Sequence, residues 1–218
     1  MKLVFLGPPG AGKGTQAARL AEEYGLEHAS TGDIFRAAVA EESELGQTVQ
    51  SYLDGGELVP DELTSRVVEE MVLERCEDFI LDGFPRTLKQ AQLLDEMLDR
   101  RDEQLDGVLY FALSAEEAME RLTGRLTCSE CGKNYHRKFM PPEEDGVCDE
   151  CGGQLKVRSD SSEDVVRRRL EEYEEKTQPL VPYYRERGLL ETVDASHAPD
   201  TVTEHTKKTI DALSAARD

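Results

Sequence analysis

The nine residues from Gly7 to Thr15, GPPGAGKGT, constrain this chain more than any other stretch. They follow an apolar run, KLVFLG, and lead into GTQAARLAEEYG, whose Ala17, Leu20, Ala21 and Tyr24 share one helical face. A glycine-rich turn between a buried strand and a helix points backbone N–H groups inward, and the helix start adds partial positive charge. Such a turn cradles phosphates. Gly10, Ala11, Gly12, Lys13, Gly14 and Thr15 are the expected contacts, with Lys13 reaching the terminal phosphates. The general pattern closes with a lysine followed at once by a serine or threonine, whose hydroxyl reaches magnesium. Here Gly14 follows the lysine and the hydroxyl comes one place late, on Thr15. The expectation is a magnesium ion held by phosphate oxygens and water, which this ion tolerates because it keeps several waters. Asp82, at the end of the apolar run FILD, is the expected carboxylate, acting on the ion through water.

Further along, apolar runs alternate with helical patterns. DFILDGFPR and LDGVLYFALS read as strands, and LLETVDA as a last one. Between them, STGDIFRAAVAEE, LGQTVQSYLDGG, LVPDELTSRVVEEMVLERC, TLKQAQLLDEMLDRR and SAEEAMERLTGR read as helices, the last opening on a Ser114–Glu117 capping box. One helical pattern runs through SSEDVVRRRLEEYEEKTQPLVPYYRERG, and PDTVTEHTKKTIDALSAARD closes the chain. Strands alternating with helices predict an α/β fold: a parallel sheet with helices on both faces. Residues 30–59 and 126–161 look inserted into a core running over 1–218, and the second insertion changes to cysteine, glycine and proline.

Charge narrows the partners. The formal net charge is -20, from 46 acidic and 26 basic residues, which argues against nucleic acid and anionic membranes. Seventeen arginines against nine lysines, together with that acidity, suggest adaptation to high salt, where screening shortens self-repulsion. No run of about 18 apolar residues is present, so no membrane span is expected. The first apolar run is too short for a leader and passes straight into the glycine turn, so a cytoplasmic location is expected.

Four of the five cysteines form two pairs, CSEC and CDEC, with the spacing C-x2-C-x16-C-x2-C. Cys128, Cys131, Cys148 and Cys151 thus suit a closed tetrahedral zinc site of structural type, and each second cysteine precedes a glycine. Redox-active pairs and unmetallated thiols are the alternatives. A nucleic-acid-binding zinc ribbon is disfavoured, because the segment between the outer cysteines holds three basic and six acidic residues. His136 reads as an ordinary residue of this segment, and Cys76 as a core residue.

The phosphate loop, STGDIFR, GGELVPDEL, LDGFPRTLKQAQ, RLTGR and RRRLEEYEEKTQPLVPYY occur in order and at fitting distances. Together they resemble the nucleoside monophosphate kinases, and specifically the adenylate kinase family in its long form with a cysteine-bearing lid. The resemblance covers nearly the whole chain. It implies a five-stranded parallel sheet with two mobile insertions, an AMP-binding one over 30–59 and a zinc-bearing lid over 126–161. By resemblance, Thr31, Arg36, Leu58, Val59, Gly83, Arg86, Gln90, Arg158 and Arg169 contact AMP. The loop residues named above, with Arg121, Arg125, Tyr135 and His197, contact ATP. His197 stands where many relatives carry lysine, and Ser161 where a second aspartate after Asp160 is common. The implied reaction is ATP plus AMP to two ADP, serving adenine nucleotide homeostasis; the family includes monomers and trimers, and a monomer is the expectation here. A kinase of the same fold for another nucleoside monophosphate, or a non-catalytic nucleotide or zinc-ribbon module, remain the alternatives.

The acceptor in that reaction is a phosphate oxygen, ionised at neutral pH, so no general base is required. Catalysis becomes positioning and charge stabilisation. Arginine suits both, since its planar fork binds phosphate oxygens in pairs and stays charged. Lys13, Arg86, Arg125, Arg158 and Arg169 are assigned this catalytic role. Water competes as acceptor, so a closing lid is expected.

Overall fold

A computed structural model describes residues 1–157 and 161–215. Arg158 and Asp160 therefore lie outside the described residues. Numbering elements in chain order, the main sheet comprises β1 (Lys2–Leu6), β2 (Glu27–Ser30), β3 (Phe79–Asp82), β4 (Gly107–Ala112) and β8 (Leu190–Asp194). Its strands are parallel throughout, in the order β2-β3-β1-β4-β8. The four apolar runs read from the sequence are four of these strands. The fifth, β2, comes from EHAS, which has no apolar run and gave no strand signal; it pairs only with β3, at the sheet edge.

Burial on both faces explains why the inner strands are apolar at consecutive positions. In β1, Leu3 and Phe5 point to one face and Val4 and Leu6 to the other, and all four are buried. The first face packs on α1 (Lys13–Tyr24) and α9 (Pro199–Ala215), through Ala17, Leu20 and Ile210. The second packs on α5 (Leu88–Asp99) and α8 (Leu180–Glu186), through Leu94, Met97, Leu180 and Tyr184. A capping box at Ser114 and Glu117 starts α6 (Ala115–Thr123), where the sequence placed it.

Two long helical patterns are broken in the structure. LVPDELTSRVVEEMVL forms α4 (Asp61–Val68) and then a π-helical turn, Glu69–Leu73. The later pattern forms α7 (Glu163–Glu172), a π-helical turn over Tyr173–Thr177, and only then α8. Pro179 has no N–H for the preceding turn, so the helix cannot continue in register through it. These turns correct the expectation of uninterrupted helices.

Two smaller apolar clusters stand apart from the sheet. Phe35, Val49, Val59 and Val67 join α2 (Thr31–Ala40), α3 (Glu44–Gly55) and α4. Leu126, Cys128, Tyr135, Cys148 and Leu155 lie under an antiparallel sheet, β6-β5-β7, made of β5 (Arg125–Cys128), β6 (Asn134–His136) and β7 (Leu155–Lys156). Five such residues make too small a core to hold a fold without a staple.

The site follows from the strand order. β1 lies between β3 and β4, and the chain crosses from one side of β1 to the other after β3. In parallel sheets this switch opens a crevice at the carboxyl ends of the strands. The phosphate loop leaves β1 there, and Asp82 stands beside it, paired in register with Phe5.

Leu81, fully buried at the centre of β3, tests this core. Truncation to alanine should cost about 3 kcal/mol in urea unfolding, with nucleotide binding kept in the folded fraction. A loss below about 1 kcal/mol would contradict the packing.

Candidate functional site

Above the strand ends lies a cavity of about 250 Å³. Gly12, Lys13, Gly14 and Thr15 line it from the loop, and Thr31, Arg36, Leu58 and Val59 from α2 and the segment after α3. Asp82, Gly83, Arg86 and Gln90 face it from the end of β3 and the start of α5, Arg125 from β5, and Arg169 from α7. Residues from six separate sequence segments thus meet in one space. Gly10 also borders the cavity, and Ala11 is buried behind it.

The loop has the electrostatics of an anion site. Gly12 caps α1 with φ 84, a conformation a side chain would strain, and the cap accepts no side-chain hydrogen bond. No acidic residue occupies the first turn of α1. Its leading N–H groups and partial positive charge are left for a ligand. Lys13 Nζ donates to the carbonyls of Gly7 at 2.7 Å and Pro8 at 2.9 Å, so the ammonium is folded against its own loop. Burial lowers its pKa to about 8; Asp82 opposes the shift, and Arg86, Arg169 and Arg125 add to it. Burial works against the charge of Asp82 too, but His28, Lys13 and Arg86 outweigh it and hold the carboxyl below its usual range. His28 Nε2 lies 3.7 Å from an Asp82 oxygen.

Gly14 is explained by this carboxylate. A Cβ at position 14 would sit 3.1 Å from Asp82 Oδ2, tighter than ordinary contact. The side chain missing from the loop is one that Asp82 leaves little room for.

The second half of the cavity is fixed by hydrogen bonds. The Gly83 carbonyl accepts from Thr31 Oγ1 at 3.0 Å and from Arg86 Nε at 2.8 Å. The Arg86 backbone N–H donates to Gln90 Oε1 at 2.7 Å, and its carbonyl accepts from Thr177 Oγ1 at 2.8 Å. Arg86 is thereby held at its amide, its carbonyl and its guanidinium. Arg36 pairs with Asp33 one turn before it. Tyr173 and Thr177 enter the cavity wall through the π-helical turn, and Glu172 and Asn134 join it. No sequence pattern pointed to these four; for Tyr173 and Thr177 the reason is that helical periodicity does not reveal a wider turn.

Other expected contacts lie outside this cavity. Arg121 Nη2 donates to the Ser196 carbonyl at 3.1 Å and its guanidinium lies over Phe139, 5.9 Å from the ring centre. The neighbouring His197 pairs with Asp194 at 3.4 Å and meets His205 edge-on. Arg121 and His197 therefore approach each other, on a surface apart from the enclosed space. The Tyr135 side chain, expected beside ATP, does not line this cavity. It is 3% exposed, its hydroxyl lies 3.4 Å from Cys148 Sγ, and it accepts the Asp149 N–H at 2.8 Å. Strand alternation turns Asn134 to the cavity and Tyr135 beneath the cysteines. Ser161 is buried, its hydroxyl without a partner among the described residues.

Cys128, Cys131, Cys148 and Cys151 present four sulfurs within 4.8 Å of one another. A tetrahedral ion with metal–sulfur bonds of about 2.3 Å requires sulfurs about 3.8 Å apart. Cys128 and Cys151 lie at 3.5 Å, and Cys131 and Cys148 at 3.6 Å. The set fits a closed metal site. Cys76 is a half-buried residue packed against the main core.

Comparison with known proteins points the same way. The family model for adenylate kinase matches residues 5–189. An adenylate kinase of Archaeoglobus fulgidus is 50% identical over 198 residues, spanning 90% of this chain and 91% of the relative. One from Carboxydothermus hydrogenoformans is 49% identical over 204 residues, spanning 93% and 95%. One from Clostridium tetani is 45% identical over 215 residues, spanning 98% and 100%.

The lowered pKa of Lys13 has a thermodynamic signature. The unfolded lysine keeps its proton up to about 10.5 and the folded one only to about 8, so between these values the unfolded chain binds more protons. Without nucleotide, this residue's contribution to stability rises with pH across that window, and below it costs about 3 kcal/mol. Urea unfolding of the parent and of Lys13→Met should show the variant's relative stability falling steadily from pH 8 to 10.5. A difference that stays constant with pH would refute the shift.

Proposed function

This chain belongs to the adenylate kinase family, and from that premise we propose how its residues divide the work of a nucleoside monophosphate kinase passing a phosphoryl group reversibly from ATP to AMP. One observation carries the assignment: Lys13, Arg36, Arg86, Arg125 and Arg169 border a single cavity beside a helix start and the loop. Two polyphosphates bring several negative charges into one space, and these cations offset them. The loop and Lys13 take the ATP phosphates. Arg86 and Arg36 take the AMP phosphate, and Arg125 and Arg169, with Arg158, span the two. As the reaction needs no base, what these groups supply is in-line positioning and neutralisation of the charge on the transferred group.

Arg121, beside Ser196 and His197, takes the ATP adenosine side. Leu58, Val59, Thr31, Gly83 and Gln90 take the AMP nucleoside. Magnesium, bound with ATP, would neutralise phosphate charge, and Asp82 would hold it through water. Residues 30–59 and 126–161 are the two moving parts. Their own small clusters, separate from the sheet, support independent motion. Closure excludes water from the transferred group. In the lid the ion is zinc, its thiolates standing in for a core that five residues cannot supply. The enzyme acts on ATP, AMP and ADP as a cytoplasmic monomer, without nucleic acid or membrane. No described helix is long and apolar enough to cross a membrane.

The net charge of -20 supports adaptation to high salt. Salt screens the repulsion among surface carboxylates, while cations inside a closed cavity are screened far less.

Purified protein given only ADP and magnesium should form ATP and AMP in equal amounts by phosphorus NMR. Turnover and melting temperature should both rise with potassium chloride toward molar levels. ADP left unchanged would remove the kinase assignment, and turnover highest at low salt would remove the salt adaptation.

Removing the lid metal with a strong chelator should lower the melting temperature by several degrees while turnover at low temperature falls less. Unchanged melting of metal-free protein would exclude a structural ion.

A further inference from the structure

The cavity contains one amide whose orientation is fixed from both ends. Gln90 is buried at the start of α5. Its Oε1 accepts the backbone N–H of Arg86 at 2.7 Å, and its Nε2 donates to Asp61 Oδ1 at 2.8 Å. Asp61 is the first residue of α4, so it reaches Gln90 from a different element. A carboxylate cannot donate at neutral pH, and a backbone N–H cannot accept. Turning the amide over would set its oxygen against the Asp61 carboxylate and its NH₂ against the Arg86 N–H. Both contacts would be repulsive.

An amide carries two donor hydrogens and two acceptor sites. With one of each used internally, Gln90 has one N–H and one oxygen lone pair left. Adenine fits that pair on either edge. Its ring nitrogen accepts, and its 6-amino group donates to the oxygen. Hypoxanthine and guanine carry an oxygen at position 6, which would face the amide oxygen. On the N1 edge, where a 6-oxo purine presents an N–H beside that oxygen, an unpinned glutamine would answer by turning over.

We propose that Asp61 is a specificity-determining positioning residue, which fixes the Gln90 amide so that the acceptor site takes a 6-amino purine and rejects a 6-oxo purine. This rests on the reading that Gln90 meets the acceptor base. Nothing in the "VPDEL" segment beyond an acidic first helical turn pointed to Asp61, because its partner lies 29 residues away.

AMP and IMP are the probes, since they share ribose and phosphate and differ only on this edge of the base: 6-amino with an accepting N1 against 6-oxo with an N1–H. Replacing Asp61 by asparagine keeps the shape and lets either end of the facing amide donate or accept. In Asp61→Asn the ratio of kcat/KM for AMP over IMP should fall about ten-fold, with most of the AMP rate retained. A general loss of structure would lower both substrates together and leave the ratio unchanged. Asp61→Ala, which removes the acceptor without offering a new one, supplies the same readout should the asparagine variant fold poorly, and Asp61→Glu should restore discrimination. A ratio within two-fold of the parent in folded Asp61→Asn and Asp61→Ala overturns the proposal. Gln90→Met separates the two levels: if it too leaves the ratio unchanged, the base does not meet Gln90, and the reading beneath the proposal fails instead.

Discussion

Mutual repulsion among cations confined to one cavity is the constraint on which the rest of this structure depends. Burial pushes the Lys13 ammonium toward its neutral form, and Arg86, Arg169 and Arg125 each push it further. Asp82 relieves part of that cost and is itself kept ionised by His28, Lys13 and Arg86. Asp33, Glu57 and Glu172 share the cavity with Asp82 and with Lys13, Arg36, Arg86, Arg125 and Arg169, so both signs of charge are interleaved there. The fold tolerates this because the strained groups sit on rigid supports: a strand end, a helix start, and an arginine held at three points.

The arrangement also accounts for how positive charge is concentrated inside a chain of net charge -20. Surface carboxylates face water and, at high ionic strength, scarcely feel one another. The cavity cations are brought together by folding and face ligand. At the cavity edge Arg36 pairs with Asp33.

Rigidity is distributed unevenly. The sheet is packed on both faces by large apolar side chains. The small antiparallel sheet instead gathers four cysteines, placed where they could hold a metal ion, around a buried tyrosine. Between these extremes lie hydrogen-bonded supports such as Asp61–Gln90–Arg86, where orientation rather than burial is specified. Stability, closure and recognition thus rest on three different kinds of interaction.

Much of this was legible in the residues themselves. Consecutive apolar positions gave β1, β3 and β4, since strands buried on both faces must be apolar throughout; β8, at the sheet edge with only Val193 buried, was read from LLETVDA. The phosphate loop and the cysteine spacing were equally plain, because each requires specific residue types at short, fixed separations. The edge strand β2 escaped notice because EHAS carries a single apolar residue, Ala29. The inward turn of Tyr135, the π-helical turns that bring Tyr173 and Thr177 to the cavity, and the pinning of Gln90 by Asp61 were also invisible. Local chemistry determined which groups exist and which elements carry them. Only tertiary packing decided which of them meet, because a contact between distant segments leaves no periodicity in either one.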